Sequence, residues 1–502
     1  MRYLRSTLLI VAFYVAAVAL SALPFVCLAI AYLLPPRQLT FFAPELLVLG
    51  AFGFLIAWAV VPRQSKPDLN GVALNPRQQA RLDRFLKEVA AHTRQPLPSL
   101  VLLTTEAHAA TGFYSGFAGI GSQRVLTLGL PFFSILNRAE MAALIAHELG
   151  HFHRGSLSFW AWILETQKAI RRLVVFLERH APFALGFFNW LLGPFIRACL
   201  RVSRENELEA DRFAAQFYGA DTVKRVLEKN QRLEFDFHVY FQSDVVPALH
   251  AGYAPPLLDG FHHFLRQLEP GLAIRFHWAV PTDPPSPTQG PVLLSPEEAK
   301  LLQSHPDLED RLLNIDRTPD APAAEPSTRA QDLLDNLPRL EKRLLDWEAQ
   351  KRGLPQPRRV LWPEVGNLVY QSQWDSLAAA HRDRLAPFTL AQLPAVIDQA
   401  GEIGTAVRLN AAAGDPREDG LALITAAFCS TLAFHGWRLS YKAPGMPRAY
   451  RKGPHTLDPF EVMEQLNYKE IAFFEWEDRA AELGIADLPL AATQSADYQR
   501  IS

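Results

Sequence analysis

Apolar positions are concentrated at the start of this chain. Residues 6–36 carry no charged side chain, and a second apolar run, 41–61, carries one charge, Glu45. The run 8–34 is long enough to cross a bilayer, which takes about 20 apolar residues. Pro35, Pro36, Arg37 and Gln38 separate the two runs. The pattern predicts a transmembrane helical hairpin over residues 1–64. A cleaved signal peptide does not fit, because its apolar core spans only about 7–15 residues. Arg2 and Arg5 precede the first run, Arg63, Lys66, Arg77, Arg81 and Arg84 follow the second, and the turn holds only Arg37. The positive-inside rule then puts the N-terminus and everything after residue 61 in the cytoplasm, on an integral protein of the cell (inner) membrane.

Beyond the hairpin the periodicity changes. Residues 75–92 place Ala80, Leu82, Phe85, Leu86 and Val89 at helical spacing. Short apolar stretches at 100–103, 111–117 and 124–128 read as strands, the last two separated by a Gly-rich turn at 119–122. The Pro-rich stretch 281–291 reads as a surface loop or lid, and 317–331 have the Pro/Ala-rich composition of a linker. The tail, 332–502, shows helical patterns at 333–348 and 421–434 and a strand at 437–441.

Charge narrows the function classes. Lys and Arg total 50 against 52 Asp and Glu, a formal net charge of −2 in 502 residues. That balance argues against a general nucleic-acid binder, which needs excess positive charge to displace counterions. Three cysteines, Cys27, Cys199 and Cys429, exclude a disulfide framework or a cysteine-rich zinc site. Any metal chemistry must rest on histidine and carboxylates.

Residues 137–155, NRAEMAALIAHELGHFHRG, supply such a set. Asn137 with Glu140 is a capping-box start. Within the helix, His147 and His151 are four apart, about 40° in projection, so both imidazoles can grip one ion. Glu148 follows the first histidine, placed to reach a metal-bound water. These polar groups follow the apolar run 141–146, which implies a buried site. His153 lies on another face of the helix. A third ligand must come from elsewhere, and 203–218, SRENELEADRFAAQFY, is the best source. Glu207 and Asp211 share a face there, with Glu205 and Glu209 as competitors.

Three motifs in order, HELGH at 147–151, SRENELEAD at 203–211 and SHPDLEDR at 304–311, follow the N-terminal apolar runs. Together they resemble the HtpX-like and CAAX-prenyl-protease family of integral-membrane zinc metallopeptidases over roughly residues 1–316. The resemblance implies one Zn2+ per chain held by His147, His151 and Glu207, with Asp211 beside the ligands. It matches His305 and Arg311 to the family's late His and Arg near the active site. It further implies peptide-bond hydrolysis, with Glu148 as general base and His305 donating to the tetrahedral oxyanion. The strand near 109–114 resembles the family's edge strand, against which an extended polypeptide adds.

The expected fold is mainly α with a small β-sheet (α+β): the hairpin, a zincin-like metallopeptidase domain over 65–316, and a C-terminal α/β extension. Within that domain, 157–200 is apolar with Trp160, Trp162 and Trp190 and an interrupting Lys168, Arg171 and Arg172, which favours a membrane-associated hairpin, inserted or interfacial, over a buried core hairpin. The aromatic, histidine-rich stretch 235–264 reads as a packed insertion. The function expected is a membrane-bound zinc endopeptidase in membrane-protein quality control. Its partners are a polypeptide substrate, membrane or misfolded, and the lipid bilayer, with no nucleic acid. Two alternatives remain at this stage. One is a catalytically silent chaperone or scaffold on the same fold. The other is a CAAX-type processing protease, which would carry more spans.

Overall fold

The computed structural model describes residues 11, 15, 18, 19, 21–60, 71–114, 123–151, 185–267, 306–316, 328–407 and 415–490, without the side chains at 52, 55, 56, 59, 60, 113, 114, 185–200 and 202. His305, the loop 281–291, the turn 119–122, residues 157–184 and most of the linker lie outside the described residues. The chain divides into two compact units: residues 1–231 with 287–335, and residues 232–286 with 336–502.

The first unit opens on two packed helices, α1 (Leu23–Leu33) and α2 (Pro36–Val60), so a helical hairpin forms where the pattern placed it. Its transmembrane reading gains no support here: among the described residues no helix is long and apolar enough to cross a membrane, and most of 8–20 lies outside them. In α2, Arg37 and Gln38 occupy the first turn, and Pro44 and Glu45 interrupt the apolar run. Only 46–60 stays uninterrupted, about 22 Å at the helical rise.

The peptidase part is built on a four-stranded sheet in the order β1 (Val72–Ala73), β2 (Leu100–Thr104), β4 (Gln123–Gly129), β3 (Ala109–Tyr114). After β2 the chain runs to the far edge as β3, then returns between them as β4, parallel to β2 and antiparallel to β3. Leu102, Leu103, Leu126 and Leu128 fill the sheet's interior. Helix α3 (Ala80–His92) buries Leu82, Phe85, Leu86, Val89 and Ala90, an i, i+3, i+4, i+7, i+8 stripe.

Two further helices frame the site. Helix α4 (Arg138–Gly150) is buried from Glu140 to Leu149. Helix α5 (Leu185–Tyr218) runs 34 residues, and its C-terminal half packs on α4. Residues 185–200, expected in a membrane-associated hairpin, therefore belong to the same continuous helix as the SRENELEAD motif. The short helix α6 (Leu308–Ile315) packs against α5.

A strap closes this unit. Residues 328–330 pair with 136–138 just before α4: the Arg138 N–H donates to the Thr328 carbonyl at 2.8 Å, and the Ala330 N–H to that of Leu136 at 3.0 Å. Further along, Gln79 exchanges two hydrogen bonds with the Asp335 backbone, at 2.7 and 2.9 Å. Arg81 adds an ion pair to the Asp335 carboxylate at 2.6 Å.

The second unit has its own core. Phe237, Tyr240, Phe261, Phe264 and Trp362 pack together, ring centroids 5.0–6.4 Å apart. Buried polar ends are matched: Tyr240 donates to the Leu257 carbonyl at 2.9 Å and Trp362 to that of Pro256 at 2.8 Å. The helix Pro416–Phe434 is buried from Asp419 to Leu432 except at Ala422. It crosses Ala400–Val407 so closely that a Cβ on Gly404 or Gly420 would overlap the carbonyl oxygen of Pro416 or Ala400. A three-stranded antiparallel sheet, Arg438–Ser440, Ala449–Lys452 and His455–Leu457, completes it.

Candidate metal centre

The site begins with the way α4 is held. Asn137 caps the helix by accepting the Glu140 N–H at 2.9 Å, and the Glu140 carboxylate accepts the Asn137 N–H at 3.0 Å. Lys229 neutralises that buried carboxylate at 2.7 Å. The far end is fixed by packing. A Cβ at Gly150 would stand 3.0 Å from the Phe213 ring and 3.2 Å from the Ala210 Cα, so glycine lets α4 lie close on α5.

That approach brings the motif residues together. Ligand-type atoms of His147, Glu148 and His151 lie within 4.8 Å of one another. The two imidazoles are nearly perpendicular, with ring centroids 4.9 Å apart. From α5, the Glu207 carboxylate comes within 3.6 Å of Nε2 of His147 and 3.5 Å of Nε2 of His151. Glu207 is buried, whereas Glu205 is exposed and Glu209 half-buried. Ligands at about 2.0–2.1 Å around a tetrahedral zinc ion stand roughly 3.3–3.4 Å from each other. The nitrogen–oxygen spacings fit that requirement with little adjustment, and the donor set, two imidazoles and a carboxylate, is one zinc accepts.

Behind the candidate ligands lies a layer of supporting contacts. Nδ1 of His147 is 2.9 Å from Oδ1 of the fully buried Asp211, although the oxygen stands off the ring's N–H direction. Arg311, from α6, grips both oxygens of Asp211 at 2.8 and 2.7 Å. The same guanidinium reaches 3.7 Å from Glu207. Nδ1 of His151 is 3.0 Å from the Asn206 side-chain amide. Carboxylates and amides in this position fix which ring nitrogen faces a metal. Sequence reasoning passed over Asn206, and its signal was the place next to Glu207 in SRENELEAD. It also passed over Thr111 on β3, whose hydroxyl lies 3.4 Å from the Glu148 carboxylate.

Electrostatics follow from burial set against partners. Burial alone would lower the His147 pKa, but the Asp211 and Glu207 carboxylates outweigh it and raise it to about 10. Burial and the neighbouring His147 hold His151 below its ordinary value. Burial works against the Asp211 carboxylate, yet Arg311 and His147 keep it below the usual carboxylate range.

Six of the seven expected site residues, His147, Glu148, His151, Glu207, Asp211 and Arg311, thus meet in one place. The seventh, His305, lies outside the described residues.

An HExxH helix whose histidines converge with a carboxylate of a second helix, beside the edge strand of a small sheet, defines a domain of the metallopeptidase class. Residues 76–318 match the model of peptidase family M48, and over that segment the chain is similar to this family. Neither a curated protein nor a solved structure matches the chain.

Proposed function

We propose that the chain is a membrane-anchored, zinc-dependent endopeptidase that cuts extended polypeptides on the cytoplasmic side of the membrane, in the quality control of membrane proteins. The observation that carries this reading is the convergence of His147, His151 and Glu207, with Glu148 beside them. Zinc, when bound there, supplies a Lewis acid and lowers the pKa of a coordinated water. His147, His151 and Glu207 are the ligands in this reading. Glu148 accepts the proton of the attacking water on its carboxylate and delivers it to the leaving amine. His305, by the family resemblance, donates to the oxyanion.

Substrate and location rest on separate grounds. Among the described residues β3 pairs in its sheet with β4 alone, and its other edge is the proposed place for an extended peptide backbone. Phe25, Leu28, Tyr32, Phe41, Leu47 and Val48 are exposed on the hairpin, an apolar surface too large to face water on a free monomer. A lipid bilayer is the proposed cover, and the arginines flanking the apolar runs favour a cytoplasmic catalytic unit.

The test is a comparison of wild type with Glu148→Gln, both purified in detergent. Zinc is expected to co-purify with both, and only wild type should cleave casein, a cleavage abolished by chelation. Absence of bound zinc, or equal cleavage by the Gln variant, rejects the peptidase reading.

A further inference from the structure

Thr111 stands at the junction of two parts of this site. It lies on β3, in register with Leu126 of β4. Side chains alternate along a strand, so Ala109 and Thr111 share one face. The Thr111 hydroxyl is directed at α4, with Oγ1 3.2 Å from the carbonyl oxygen of Glu148 and 3.4 Å from its Oε2. That carbonyl belongs to the last turn of α4, where carbonyls lack a partner within the helix. A purely structural role would end there, with the hydroxyl satisfying the carbonyl. The second distance goes further, because the same donor also reaches the carboxylate.

We infer that Thr111 is a positioning residue that ties the substrate-binding edge strand to the Glu148 carboxylate. The inference rests on the peptidase reading above. A hydroxyl has one proton, shared here between two acceptors of one residue. Threonine is stiff at χ1, so the direction of that proton follows the backbone of β3. A peptide lying along the edge of β3 away from β4 holds that backbone in place. It thereby holds one oxygen of Glu148 and leaves the other turned to the reacting water. Binding of main chain and orientation of the base are then coupled through one side chain.

Thr111→Val keeps the branched shape and removes the donor, and Thr111→Ser restores it. Both are purified with wild type and compared on fluorescein-labelled casein. The Val variant is expected to lose roughly 5- to 10-fold in kcat, the worth of one hydrogen bond, with KM within about twofold of wild type. The Ser variant should recover most of the loss. Zinc content and chelator-competition affinity, read independently of turnover, should equal wild type in all three. Equal kcat in an active Val variant overturns the inference and leaves the peptidase reading intact. So does a loss that Ser fails to rescue, or one that tracks a loss of zinc. A wild type that binds zinc and cleaves nothing rejects the peptidase reading, and this inference with it.

Discussion

Arg311 grips the Asp211 carboxylate with two hydrogen bonds, 2.8 and 2.7 Å long, although 100 residues separate them in the chain. Through that grip Arg311 sets the oxygen that meets Nδ1 of His147. A flat, two-pronged guanidinium suits this task, and a lysine ammonium does not. Arg311→Lys is expected to lower zinc affinity roughly 10- to 100-fold by competition with a chromogenic chelator. Arg311→Ala leaves a fully buried carboxylate without its main partner. Urea unfolding of the metal-free protein should register a loss of about 3–5 kcal/mol.

Metal uptake should be coupled to proton release. With the pKa of His147 raised to about 10, that ring is protonated in the metal-free protein at neutral pH. Ligation requires the neutral ring, so binding expels a proton. The apparent zinc affinity should rise with pH, approaching tenfold per unit between about pH 7 and 9. Calorimetric titrations in buffers of different ionisation enthalpy measure the proton directly. A binding enthalpy independent of buffer would contradict the assignment.

Asn206 supports the second histidine as Asp211 supports the first. Asn206→Leu removes the amide 3.0 Å from Nδ1 of His151 and should weaken zinc binding about tenfold or more. Thermal stability of the metal-free protein should change little, because the side chain is only half-buried.

In the second unit, burial pushes the Glu341 carboxyl up to about 7, against the opposing N–H of Leu258, 2.8 Å away, and the charge of Arg359. Between about pH 4.5 and 7 the folded chain keeps a proton that the unfolded chain has released. Stability must therefore fall as pH rises through that window, by up to about 3 kcal/mol from this group. Glu341→Gln stays neutral throughout. Its stability relative to wild type should increase from pH 5 to pH 8 in matched denaturation curves, and a constant difference would refute the assignment.

The glycines at the crossing of Ala400–Val407 with Pro416–Phe434 offer a simpler test. Gly420→Ala forces a methyl group into the Ala400 carbonyl. It should destabilise the protein by about 3 kcal/mol, the upper range for overpacking.

Much of the site was legible because its information is local. His147 and His151 are four apart on one helix, and the Asn137–Glu140 capping box sets where that helix starts. The choice of Glu207 over Glu205 and Glu209 came from family resemblance, since all three project from one helix and only tertiary packing buries one. Asn206 and Thr111 were missed for the same reason: each acts on a residue brought near by folding, 55 and 37 positions away. In the fold, the strand pattern at 100–128 translated well, because short apolar runs bounded by turn residues encode buried strands. Apolar content located the hairpin but not its helix boundaries. It does not register how Pro44 and Glu45 cut the usable length of α2.

The strap at 328–335 bears on where this chain can be divided. A fragment ended within the Pro/Ala-rich stretch would discard Thr328, Ala330 and Asp335. It would leave the backbone of 136–138, Gln79 and Arg81 without their partners. It would also uncover the buried Leu333 and Leu334. The composition of a linker therefore marks the wrong cutting point. The catalytic fragment must carry the chain through Asp335, one residue before Asn336 turns left-handed and caps the next helix.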